Sequence, residues 1–320
     1  MRILGIDIGG TKTLVGVVDR SGTILSAKRV ETPGSLGPDK ALALIKSAGW
    51  EAVEKAGVKI DAIGIGCGGP LDRKTGTLHA VPNLPGWEGL CLTDIFSQEF
   101  GAPAYLDNDA TAAAIGELYF GAGKGFRDFA FFIVSTGIGG GIVIECKPYR
   151  GCGDNAGEFG HQKIRPDGPL CPCGDRGCLE SLASGTSIAR IARERLAEKP
   201  KTVLWDWVNT PADITAELVA RAAKLGDKFA SSVWFEAMYN LGLGVANVVN
   251  ILNPRLVILG GGVTRAGEEM VFEPVRKVVR ERAMKALAAD VEVVPAGNGD
   301  NVGLLGAVAV ALEQCGDRSA

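Results

Sequence analysis

Nowhere in the 320 residues do about 18 apolar residues run together, so no helix of the chain is expected to span a bilayer. A secretory leader is missing too: Met1-Arg2 runs straight into a strand-like segment, too short for an apolar core and cleavage site. No cluster of lysine and arginine stands out against a formal net charge of -3, which argues against nucleic acid as a partner. The expected compartment is therefore the cytoplasm, with neither membrane nor nucleic acid as partner. Histidine is scarce, with two in the chain, beside eight cysteines. Core-forming residues are plentiful: 46% hydrophobic against 22% charged describes a globular protein, and the length fits two domains at about 150 residues each.

One of the histidines and three of the cysteines share residues 157–180, GEFGHQKIRPDGPLCPCGDRGCLE. Structural zinc is held by thiolate and imidazole groups, usually four of them. His161, Cys171, Cys173 and Cys178 supply that number, and the prolines and glycines between them let the backbone fold back around an ion. The C-x-C pair is tighter than the usual C-x-x-C, and a cysteine-rich loop or a disulfide knuckle is the alternative. In a chain without secretory signals a Cys/His cluster favours metal. Glu158 and Glu180 bracket the cluster without being needed to complete it, and are expected to face a ligand. Cys67, Cys91, Cys146, Cys152 and Cys315 lie among apolar or glycine-rich neighbours and are expected as buried small hydrophobes.

Residues 3–22, ILGIDIGGTKTLVGVVDRSG, read as strand, glycine turn, strand, turn. Gly9 and Gly10 are expected to supply the positive φ of a hairpin turn. Asp7 closes the first strand, and Thr11 and Lys12 sit at the tip. Open amides, a hydroxyl and an ammonium there make a phosphate cradle; an ordinary hairpin capped by Asp7 is the alternative. Residues 129–147, FAFFIVSTGIGGGIVIECK, repeat the pattern. Two such hairpins read as duplicated halves approaching one phosphate chain from opposite sides. A third glycine turn, ILGGGVTRAGEE, follows a strand at 256–259 and precedes a helix from about residue 267. Backbone approach at Gly260, Gly261 and Gly262 suits a base or ribose, although on this segment alone a plain strand-to-helix turn is the better account. Gly64, Gly66 and Gly69 spell G-x-G-x-x-G, but Pro70 and LDRKTG stand where the dinucleotide fingerprint needs a helix. GAGKGF at Gly121 lacks the spacing and Ser/Thr of a Walker A loop.

Between the hairpins come a helix at 39–57, a strand through DAIGIGCGG and a loop with Asn83 between prolines near Trp87. An amide beside an indole is sugar-binding chemistry; a loop packed by its own tryptophan is the alternative. A strand at 104–106 then ends in Asp107, Asn108 and Asp109, before an alanine-rich helix. Aspartate there can cap the helix, or accept a proton from a substrate hydroxyl at the ligand-binding edge of an α/β sheet. Beyond the cysteine stretch the chain is mostly helical, then returns to strand RLVILG, helix, strand VEVVPAG and a last helix NVGLLGAVAVALEQ. Alternating strands and helices make the class α/β. The expected division is a small domain of residues 1–107 with 303–320, and a large domain of 108–302 carrying the zinc loop and helical region.

With these pieces placed, the chain resembles the ROK family of sugar kinases and repressors along essentially its whole length. DIGGTK and STGIGGG resemble its two phosphate motifs, LGGGV its adenosine motif, NDATAAAIGE and NVGLLGAVAVAL its connecting helices, and GEFGH with CPCGDRGCLE its zinc signature. CLESLASGTSIARIARE is most similar to bacterial ATP-dependent glucokinases. GCGGPLD departs from the Val-Pro-Gly-containing turn of many members, and Thr111 stands where asparagine is frequent. The resemblance implies the actin-like ATPase (ribonuclease H-like) fold, two α/β domains with a cleft between them. It implies Asp109 as general base, with Asn108 holding the sugar. Glu158, His161, Glu180, Asn83 and Gly68 are implied as further sugar contacts. Asp7 is implied to face magnesium and the transferring phosphoryl. Gly9, Gly10, Thr11, Lys12, Thr136, Gly137 and Gly261 are implied for the nucleotide site, and a homodimer or higher oligomer is expected.

The expected reaction is phosphoryl transfer from ATP, with Mg2+, to a hexose, foremost the 6-hydroxyl of glucose, in a protein that also holds Zn2+. Fructokinase, an N-acetylmannosamine or N-acetylglucosamine kinase and a polyphosphate-using glucokinase are rivals within the family. A sugar-responsive repressor is the rival of another class. It needs a helix-turn-helix segment ahead of the first strand, which here begins at Arg2 or Ile3.

Overall fold

The computed structural model describes residues 1–316 apart from Ala80, Pro82 and Lys199; residues 317–320 of the expected small domain lie outside the described residues. Twelve strands are described. The first sheet takes β1 (Arg2–Ile8), β2 (Lys12–Asp19), β3 (Ile24–Glu31) and β4 (Ala62–Cys67). A small ladder of β5 (Leu71–Asp72) and β6 (Thr77–Leu78) intervenes before β7 (Ala104–Asn108) completes that sheet, in the order β3-β2-β1-β4-β7. The second sheet contains β8 (Phe129–Val134), β9 (Ile138–Ile144), β10 (Lys147–Pro148), β11 (Leu256–Gly260) and β12 (Glu292–Pro295), in the order β10-β9-β8-β11-β12. In each sheet the antiparallel arm is a hairpin extension of a parallel core: β1, β4 and β7 in one, β8, β11 and β12 in the other.

Side chains alternate across a strand, and β1 shows what that decides. Leu4, Ile6 and Ile8 join Ala41, Ile45 and Ala48 of helix Pro38–Ala56 and Phe96 of helix Leu92–Phe100 in one core. Ile3, on the other face, packs with Leu304, Leu305 and Val308 of helix Val302–Gln314. Asp7 shares the period of Ile3 and therefore points to the face that this last helix covers.

Gly64 shows how tightly that helix lies on the sheet: a Cβ there would stand 1.8 Å from the Ala307 carbonyl oxygen. Backbone cannot swing aside as a side chain can. Gly64→Ala is expected to cost about 3 kcal/mol, the upper part of the usual range for overpacking, read as a lower urea midpoint with unchanged slope. The glycine is thus a packing residue, and after Gly69 the chain enters the β5–β6 ladder instead of a nucleotide-binding helix.

By backbone contacts the chain falls into two compact units. One is Met1–Arg127 with Gly141–Gly157 and the stretch from Ala296; the other is Asp128–Gly140 with Glu158–Pro295. This differs from the division expected at Asp107. Helix Asp109–Phe120 goes with the first unit because it meets helix Val302–Gln314 at two glycines: a Cβ on Gly116 would lie 2.8 Å from the Gly306 nitrogen. The final helix, Val302–Gln314, belongs to the first unit.

Three further expectations are corrected. Strand β3 and helix Leu92–Phe100 were not foreseen. Gly9 and Gly10 do not have positive φ; they are needed for room, since a Cβ would stand 2.9 Å from the Lys12 carbonyl and 2.7 Å from Asn83 Cβ respectively. Cys67 is buried as expected, but Cys146, Cys152 and Cys315 are exposed and Cys91 is half-buried. No described helix is long and apolar enough to cross a membrane.

Candidate active site

In the first unit the acidic centre grows from the ends of β1 and β7. Asp7 lies against the start of helix Val302–Gln314, where a Cβ on Gly303 would come within 2.1 Å of its Oδ2. Burial, with the charge of Asp109, pushes the Asp7 carboxyl up to about 7, against the pull of Lys12 and Arg29. Thr11 and Lys12 are exposed at the hairpin tip, and the Gly9 amide donates to the Lys12 carbonyl at 3.0 Å.

Helix Asp109–Phe120 needs a cap, and Asn108 provides it: its Oδ1 accepts from the amides of Ala110 at 3.0 Å and Thr111 at 3.2 Å. Asp109 Oδ1 also accepts from the Ala110 amide, at 2.8 Å. Its Oδ2 lies 4.0 Å from where a Cβ on Gly68 would be, an ordinary contact distance. The surrounding atoms lift the Asp109 carboxyl above its ordinary value, against the Ala110 hydrogen bond. The residue nevertheless presents an exposed surface, so water reaches it and moderates that lift. Asn83 is exposed beside Gly10. Trp87, by contrast, is 1% exposed and packs in the core. The amide-beside-indole expectation therefore gives way to a loop packed by its own tryptophan.

In the second unit, His161, Cys171, Cys173 and Cys178 converge, their ligand atoms all within 4.8 Å of one another. Cys173 Sγ and Cys178 Sγ are 3.6 Å apart, and Cys171 Sγ is 3.8 Å from His161 Nδ1. Two thiolates at zinc–sulfur distance in a tetrahedron lie about 3.8 Å apart, so the four groups fit a closed zinc site. His161 Nδ1 faces the thiols, while Nε2 is 3.7 Å from Glu158 Oε2. Glu180 is less free than expected: its Oε2 accepts from the Ile138 amide at 2.8 Å and would meet a Cβ on Gly137 at 2.5 Å.

The same unit contains a cavity of about 670 Å³ lined by Thr136, Gly262, Val263 and Ala266, and by residues of helices Gly185–Leu196 and Ala216–Lys224. Gly261, next in sequence to the lining residue Gly262, adopts φ 96°, and a Cβ there would be 2.5 Å from the Val134 carbonyl oxygen. Alanines 189, 216 and 220 and Met270 give the cavity apolar walls; Arg193, Arg221 and Lys224 give it positive charge. The sequence reads this region as helical, but not as the wall of a cavity.

A profile of the ROK family matches residues 3–314. This chain belongs to the ROK family. It is 37% identical to the glucokinase of Streptomyces coelicolor over 97% of each chain, and 34% identical to that of Thermotoga maritima over 99% of each. Among solved structures, a ROK family glucokinase from Streptomyces griseus, in complex with glucose and AMPPNP, superposes with a TM-score of 0.86 at 37% identity. That match covers 98% of this chain and 100% of the other. The fold of this ROK protein is the actin-like α/β fold that the resemblance implied.

Proposed function

We propose that this ROK protein phosphorylates a hexose from ATP, with the 6-hydroxyl of glucose as acceptor. The reading is carried by near full-length similarity to glucokinases, one of which binds glucose and AMPPNP, in a chain that keeps the exposed carboxylate of Asp109 just after β7. Phosphoryl transfer asks the protein for positioning and charge neutralisation more than for covalent help. Asp109 takes the proton of the attacking hydroxyl. Asn108 has its Oδ1 spent on the helix cap, so its amide NH2 is the part left to donate to sugar. Gly68, beside Asp109, and Asn83, beside Gly10, complete the proposed sugar contacts. In the second unit Glu158, His161 and Glu180 read sugar hydroxyls, His161 through Nε2, which lies on the side of Glu158. Gly9, Gly10, Thr11 and Lys12, and Thr136, Gly137 and Gly261, serve the phosphates and nucleoside. Asp7 is the carboxylate suited to Mg2+, which neutralises phosphate charge when bound. His161, Cys171, Cys173 and Cys178 hold Zn2+, a structural ion with no open position. A homodimer is the arrangement we expect, on the commonness of two-fold symmetry alone.

ADP release measured across a panel of sugars tests the reading. The expected order in kcat/KM places glucose above fructose, N-acetylmannosamine and N-acetylglucosamine. A higher value for either N-acetylated sugar moves the protein to the amino-sugar branch of the family, and no ADP release with any hexose sinks the kinase assignment.

A further inference from the structure

Asp107 immediately precedes the two residues proposed to handle the sugar, yet it is 2% exposed and turned away from solvent. Its carboxylate is fully engaged. Oδ2 accepts from Arg150 Nε at 2.9 Å and Nη2 at 2.7 Å, while Oδ1 accepts from the Asn108 amide at 2.9 Å. Arg150 is itself gripped from behind: its Nη2 donates to Glu313 Oε2 at 3.1 Å, near the end of helix Val302–Gln314. Its carbonyl accepts from the Ala156 amide at 3.0 Å. Every side chain from Asp107 to Asp109 therefore holds a backbone amide of the same turn: 108 by Asp107, 110 and 111 by Asn108, and 110 again by Asp109. Of these three side chains, Asp107 is the one with a charged anchor outside the turn.

A buried ion pair is a weak source of net stability, because desolvation offsets most of the attraction. What a guanidinium does supply is a planar, fixed set of donors that sets the orientation of a carboxylate. Burial lifts the Asp107 carboxyl above its ordinary value, and Arg150 opposes that lift.

Resting on the kinase reading above, we infer that Arg150 is a positioning residue for phosphoryl transfer. Through Asp107 it fixes the backbone at Asn108, and so the direction in which Asp109 presents its carboxylate to the sugar hydroxyl. Misplacing a reacting group by about 1 Å costs on the order of a hundredfold in rate. Arg150 touches neither sugar nor nucleotide in this scheme, so nucleotide binding is separable from its effect.

The test compares wild type, Arg150→Met and Arg150→Lys for glucose kcat, glucose KM, ATP KM and melting temperature. Arg150→Met is expected to lose about a hundredfold in kcat with ATP KM unchanged within about twofold, and Arg150→Lys to recover about tenfold of that loss. A folded Arg150→Met with kcat within about twofold of wild type overturns the inference. So does a kcat loss that Arg150→Lys, at wild-type melting temperature, does nothing to relieve. Should Arg150→Met fail to fold, Arg150→Lys decides alone: a tenfold lower kcat at a preserved melting temperature supports the positioning role, and an unchanged kcat overturns it. Wild type inactive on every hexose is a different result, which removes the kinase reading itself.

Discussion

Asp109→Asn is expected to lower kcat with glucose by about two to four orders of magnitude, the usual worth of a general base, while leaving the protein folded. The structural half of that expectation follows from how the turn is built. Asn108, not Asp109, caps helix Asp109–Phe120, and an asparagine at 109 keeps an oxygen able to accept from the Ala110 amide. Surface substitutions outside special features usually change stability by less than about 0.5 kcal/mol, and the cap is untouched. The lost group is the second, ionised oxygen beside Gly68. The pH profile gives an independent sign. A base must be ionised to act, so kcat/KM falls as pH drops through its pKa, and both Asp109 and Asp7 sit above the ordinary carboxylate range. The charge of Asp109 is one of the causes raising Asp7 to about 7. Removing it moves the remaining acid limb to lower pH. Turnover near the wild-type rate in a correctly folded Asp109→Asn would reduce Asp109 to a residue of the helix start.

What was legible in the sequence was local. Apolar period and glycine spacing located both hairpins, because each strand is paired with its immediate neighbour across a short turn. The convergence of His161, Cys171, Cys173 and Cys178 was legible for the same reason: they span 18 residues and use chemistry that few other residues imitate. Strand β3 escaped because neither face is of one kind: Leu25 and Ala27 share the exposed face with Arg29 and Glu31, and Ser26 and Lys28 interrupt Ile24 and Val30 on the other, so no clean alternation shows. Arg150 escaped because its partners are 43 and 163 residues away, and a single arginine after a hairpin carries no pattern. The nucleoside-sized cavity escaped likewise: its walls come from two helices whose alanines look like ordinary helix filler in one dimension. Gly9 and Gly10 were placed correctly for the wrong cause, since crowding by Lys12 and Asn83, not dihedral angle, forbids a side chain there.

Cys173→Ala is expected to lose the metal, loosen residues 158–180 and raise the glucose KM, with a much smaller change in ATP KM. The base of the loop is held without metal, by Leu179 N to Gln162 O at 3.0 Å, Ile164 N to Gly177 O at 2.9 Å and the Arg165–Glu236 ion pair at 2.9 Å. The loosening is therefore expected towards the tip, where Leu170 is 61% exposed and Cys171 N bonds Asp175 O at 2.7 Å. Structural zinc supplies on the order of 10 kcal/mol of apparent binding free energy in small domains, far more than such turns. Three thiolates and a neutral imidazole also leave the ion one negative charge in excess, which Lys163 Nζ, 3.0 Å from Cys178 Sγ, is placed to balance. The effect reaches sugar through one ring. With Nδ1 given to a metal, His161 would keep Nε2–H on the side of Glu158, and an outer oxygen partner normally fixes such a ring; in the proposed scheme that partner is a sugar hydroxyl, with Glu158 reaching the same ligand. Glu180 is tied separately to the Ile138 amide, so part of the sugar contact survives and binding weakens without vanishing. The residues proposed for the nucleotide, from Gly9 to Lys12 with Thr136, Gly137 and Gly261, lie outside this loop and are expected to be spared. Metal analysis of wild type comes first, and full activity with only traces of zinc sinks the proposal. If zinc is stoichiometric and Cys173→Ala still leaves glucose KM unchanged, the metal staples a loop and the line from zinc through His161 to the sugar is wrong.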